Sequence, residues 1–189
     1  MMRPRVDHWE RLLAAAIDTA RVRPFIWGLH DCPTFAFETR MILTGGEDVA
    51  ALWRGRYTTA LGGQRVMRRM GWASLEKMAN ALLGEQRPSA LLAQRGDMVL
   101  ADNGLGFGIC TGASAVGMGP AGLMTVPLTS CRLAWPICLR NHPMTFIVTA
   151  VTAIAGAISG VLAAGGIGAA LLRIGGTLLL SYAAQALMP

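Results

Sequence analysis

The chain has 189 residues, 53% apolar and 15% charged, with 17 basic against 11 acidic side chains. This excludes a disordered chain and leaves room for one domain of ordinary size and a remainder. The excess of base is almost all arginine, sixteen to one lysine, and it is scattered; the densest cluster, Arg65, Arg68 and Arg69, reads as a solvated helix face, so no specific nucleic-acid partner is expected.

Taken along the chain, helices come first and strands later. Asp7 is placed to cap a helix running to about Arg21, with Trp9, Leu12, Leu13, Ala16, Ile17 and Ala20 on its apolar face. Arg23-Pro24 ends it. Asp31 is placed to cap a second helix to about Leu43, with Pro33 in its first turn and Gly45-Gly46 at its close. Shorter helices are predicted over Thr58–Met70 and Ser74–Leu83. Met98–Ala101 and Leu105–Thr111 read as strands joined through Asp102-Asn103-Gly104. Val116–Met118 and Leu123–Val126 flank a turn at 119–122, and Cys131–Leu139 supplies a last strand. Helices packed on a small antiparallel sheet give an α+β domain.

Charge then divides the chain. All acidic residues lie between Asp7 and Asp102, and Met144–Leu172 contains no charge. That run exceeds the roughly 20 residues that cross a bilayer core. The predicted boundary falls at Asn141-His142-Pro143, giving a domain over 1–143 and an apolar segment over 144–189. Two helices, about Thr145–Ala163 and Ile167–Leu187, are expected there, broken at Gly165-Gly166 and carrying Gly156 and Gly160 at a spacing that lets helices approach. No apolar stretch follows Met1, so no conventional secretory signal is expected.

The segment from Pro24 to Ala36 carries the chemistry. Cys32 opens a helix, where the macrodipole favours thiolate, and the common alternative is a small buried hydrophobe. Trp27, Gly28 and Asp31 would shape a groove beside it, Asp31 acting as a helix cap rather than a catalytic acid. Cys110, Cys131 and Cys138 are expected in the core. The cysteines form no CxxC pair, and histidine occurs only at 8, 30 and 142, so no metal site and no cofactor are expected.

The stretch from Phe25 to Ala36 resembles the Trp-Gly…Asp-Cys motif of NlpC/P60-type cysteine peptidases, a papain-like α+β fold that cuts bacterial wall peptides. Taken in order, Trp27-Gly28-Leu29-His30-Asp31-Cys32, Trp53–Tyr57, Arg95-Gly96-Asp97 and Cys131–Trp135 are similar to the DUF6950 family of tailed-phage and gene-transfer-agent proteins. The peptidase resemblance implies Cys32 as nucleophile, with a histidine base opening the strand after Gly96-Asp97. Gly106 stands at that place, and glycine cannot take a thiol proton, so the Cys–His pair is broken. His30, two residues before Cys32, is the substitute base if the loop is extended; His142 and His8 are weaker candidates.

Three readings follow. In the first, the chain is a structural component of a phage or phage-like tail tip, made in the host cytoplasm. Its peptidase-like domain is inactive, and its apolar C-terminus is buried in the tail lumen among three symmetric copies, next to hub and other tail-tip proteins. That segment would enter the host envelope during genome delivery. In the second, the domain is an active cysteine peptidase that hydrolyses peptidoglycan during tail penetration. In the third, the chain is a cellular membrane protein with a small cytosolic domain.

Overall fold

The computed structural model describes residues 4–137. The predicted segments beyond them, including Cys138, His142 and both apolar helices, lie outside the described residues. Within them, four α-helices precede five strands: α1 (Trp9–Val22), α2 (Cys32–Thr44), α3 (Ala60–Arg69), α4 (Leu75–Leu83), then β1 (Met98–Ala101), β2 (Phe107–Cys110), β3 (Ser114–Gly119), β4 (Gly122–Pro127) and β5 (Cys131–Trp135). The mixed α and β composition agrees with the expectation. The strands form one antiparallel sheet in the order β4-β3-β2-β1-β5.

Caps set the helix ends. Asp31, Thr59 and Ser74 each accept a hydrogen bond from a backbone N–H in the first turn of α2, α3 and α4. Gly45 closes α2 in the left-handed region at φ 56°. Helix α1 departs from expectation: His8, at φ 57°, occupies the capping position without a side-chain bond, and Asp7 lies one residue too early. Leu12 also stays 36% exposed, so the buried stripe of α1 narrows to Leu13 and Ala20 with partial cover of Trp9, Ala16 and Ile17.

The strands are shorter than predicted at β2 and longer at β3, and β5 stops at Trp135. Alternation along the strands serves two cores. Met98, Leu100, Phe107, Ile109 and Trp135 face the helices, whereas Val99, Cys110, Ala115, Cys131 and Ala134 pack on the other face with Ala90 and Leu128. Cys110 and Cys131 are thus buried, as expected. Edge-to-face ring contacts run from Trp72 to Trp53 (6.3 Å), Phe37 (5.3 Å), Phe107 (6.2 Å) and Trp135 (6.2 Å), tying α2 to the sheet.

Asp97, 1% exposed, pairs with Arg87 and Arg5 and accepts the Gln94 N–H, so the Arg95-Gly96-Asp97 segment anchors the chain entering β1. Trp135 and Arg132 bond Asn80 and Glu76, fixing β5 to α4.

Candidate functional site

The loop before α2 is a closed turn, not an extended strand. Ile26 and His30 bridge each other, and the Gly28 carbonyl accepts from Gly55 N–H at 2.8 Å. Gly28 sits at φ +73°, and a Cβ there would come within 2.3 Å of the Tyr57 carbonyl oxygen. Three further bonds fasten this turn and α2 to the segment 53–57. Trp53 Nε1 donates to Thr34 Oγ1 (3.2 Å), Arg54 to Glu38 (2.8 Å), and the Tyr57 hydroxyl to Asp31 Oδ2 (2.5 Å).

Asp31 is wholly buried and fully occupied. Oδ2 also accepts the Gly28 N–H at 2.8 Å, and Oδ1 accepts the Thr34 N–H at 3.2 Å. It is the helix cap that the sequence implied, and it additionally holds Tyr57. The ring of Tyr57 lies under α3, where a Cβ on Gly63 would meet its Cε2 at 3.1 Å. Two adjacent glycines inside a helix cost about 1 kcal/mol each against alanine. Here they clear the space that brings Tyr57 onto Asp31.

Cys32 is half-buried at the start of α2. It lines a cavity of about 450 Å³ together with Trp27, Asp31, Tyr57, Met67 and Met78. Trp27 and Asp31 line this cavity, and Gly28 is not among the residues that line it. The thiol is pushed up from 9.0 to about 12, first by burial and then by the negative charge of Asp31. Backbone hydrogen bonds from Phe107 and from Cys32 itself oppose this and are outweighed. The macrodipole argument for a thiolate is thus corrected, because desolvation exceeds a helix-end effect at this position.

The backbone of Phe107, at the start of β2 and one residue from Gly106, is among the groups that act on the Cys32 thiol. A Cβ on Gly106 would meet nothing within 4 Å. His30 faces elsewhere. Its Nδ1 donates to the Pro24 carbonyl at 3.0 Å, and its ring packs on Phe35 and lines a separate cavity of about 200 Å³ between α1 and α2. The tight turn, which the extended-loop argument did not allow for, separates His30 and Cys32 into different cavities. His8 is exposed at the head of α1.

Sequence reasoning passed over the α3 and α4 wall of the cavity, including Gln64, Arg68 and Met78. The available signal was Gly62-Gly63, which is anomalous inside a helix unless something must lie against it. Among the described residues, no group of three or more His, Cys, Asp or Glu could hold a metal ion. No helix among them is long and apolar enough to cross a membrane.

No curated protein and no solved structure matches the chain. One family does match, over residues 4–137, and it is described as a domain of unknown function, DUF6950. That match covers all of the described residues and well over half of the whole sequence, so the chain belongs to the DUF6950 family.

Proposed function

We propose that the protein is a structural component of a phage or phage-like tail tip, whose NlpC/P60-like domain has lost hydrolysis and serves assembly. The observation that carries the inactive reading is the pairing of a neutral thiol with a glycine. The backbone of Phe107 acts on the Cys32 thiol, and the adjacent Gly106 occupies the position where the peptidase resemblance asks for a histidine. A thiol held near 12 beside Asp31, with no imidazole placed against it among the described residues, is a poor nucleophile at neutral pH.

The tail-tip context comes from the order of the four sequence blocks. The contacts of those blocks support reading them as one module: the second clamps the first through Asp31 and the helix that follows it through Thr34 and Glu38, and the third and fourth anchor the sheet. In this reading the apolar segment from Met144 onward, uncharged as far as Leu172, is shielded in the tail lumen among three symmetric copies and tail-hub proteins, and it enters the host envelope on genome delivery.

Two measurements test the proposal. Purified sacculi incubated with the full-length chain should release no more muropeptide than with Cys32→Ala, and release lost in that variant would establish the peptidase instead. Immunogold labelling of purified particles encoded with this chain should mark the tail tip; particles free of the protein would end the structural reading.

A further inference from the structure

Three neighbouring cations in the described residues have no carboxylate to meet them. Arg65, Arg68 and Arg69 are exposed on α3, and none takes part in an ion pair among the described residues. Arg54, Arg87 and Arg132, by contrast, each bond a carboxylate. Spacings of three and four set Arg65 against both of its neighbours, which weakens the helix through like-charge repulsion.

The cluster adjoins the large cavity. Arg68 lines it, as does Gln64 one turn earlier on the same face of α3. Deeper in, the lining is apolar, with Trp27, Trp53, Met67, Leu75 and Met78, and Leu105, 74% exposed, stands at its edge. The interior carboxylate, Asp31, already accepts from Gly28, Thr34 and Tyr57. It repels a second anion, so an incoming negative group is favoured only at the arginine edge. At about 450 Å³ the cavity sits low in the range of small-molecule sites, which favours one chain over the paired chains of a bilayer lipid.

We propose that this cavity takes the apolar chain of a small anionic amphiphile, a single-chain carboxylate of medium length. Its charged end sits at Arg68, in the field of Arg65 and Arg69. Charge complementarity at the edge and apolar burial inside are separate contributions, so they can be measured separately. The inference rests on the inert reading of the same cavity, in which Cys32 lines the wall and attacks nothing.

The test is titration of the full-length chain with decanoate below its micellar concentration, followed by tryptophan emission, since Trp27 and Trp53 line the cavity. Decanol reports the apolar contribution alone. The expected result is a saturable change with decanoate and an affinity roughly three- to tenfold above that for decanol. Arg68→Gln should remove that preference and leave decanol binding unchanged. No saturable response to decanoate overturns the proposal, and so does a preference for decanoate that survives Arg68→Gln. Neither probe has a bond that a peptidase cuts, so this result is independent of muropeptide release, which alone decides the hydrolysis question.

Discussion

The Tyr57 hydroxyl and the Asp31 carboxylate meet at 2.5 Å across 26 residues of sequence, and that bond joins the turn before α2 to the turn before α3. Asp31 has no exposure to water, so each of its three donors replaces solvent. Burial and the neighbouring carboxylate push the Tyr57 phenol far above its ordinary value, which keeps it a donor.

Tyr57→Phe should therefore destabilise the domain by about 2 kcal/mol, the usual loss for a hydrogen bond to a buried charge. Chemical denaturation of the full-length chain checks it. A change below about 0.5 kcal/mol would mean that water replaces the phenol at Asp31.

Cys32 should resist alkylation at neutral pH. With its thiol held at about 12 rather than 9.0, the rate with iodoacetamide should keep climbing well past pH 10. Linkage has a definite sign here. Between 9.0 and about 12 the folded chain holds a proton on Cys32 that the unfolded chain has lost, so this group's contribution to stability falls as pH rises through that window. Tyr57, shifted in the same direction, adds to the alkaline loss. A rate that levels off near pH 9 contradicts the burial argument.

Gly28 and Gly55 separate two effects of adding one methyl group. Both have positive φ, +73° and +74°, but only Gly28 would meet an atom, the Tyr57 carbonyl at 2.3 Å. Gly55→Ala should cost about 1–2 kcal/mol, the price of the left-handed conformation. Gly28→Ala should cost that and about 1–3 kcal/mol more from overpacking. Equal losses in thermal or urea melts would show that the turn shifts away freely.

Gly106→His should be tolerated, because its Cβ has open space, and Phe107 beside it acts on the Cys32 thiol. An imidazole at that position should lower the thiol pKa and speed alkylation at neutral pH several-fold over the parent chain. Unchanged reactivity in a folded variant would place position 106 out of reach of the sulfur.

The local elements were legible because their signals are local. Asp31 with Pro33 marks the start of α2, Gly45 its end, and Thr59 and Ser74 the next two helices, since capping needs only a side chain and an N–H a few residues away. Turn residues at 102–104 and 119–122 separated the strands for the same reason. Asp7 misled because one residue decides whether a side chain reaches the first free N–H, and the backbone at His8 placed the helix start later.

Residue types and their order along the chain were enough to mark Cys32 as the head of a helix, and Gly106 as unable to serve as a base. Only the tertiary structure decided how acidic that thiol is, because desolvation depends on what packs over it and the charge of Asp31 acts through space. It also decided that His30 opens on a different cavity from Cys32, that Tyr57 closes on Asp31, and that Arg68 borders an apolar cavity. Those relations join residues far apart in sequence or turn on the path of one tight loop, and neither composition nor periodicity carries that information.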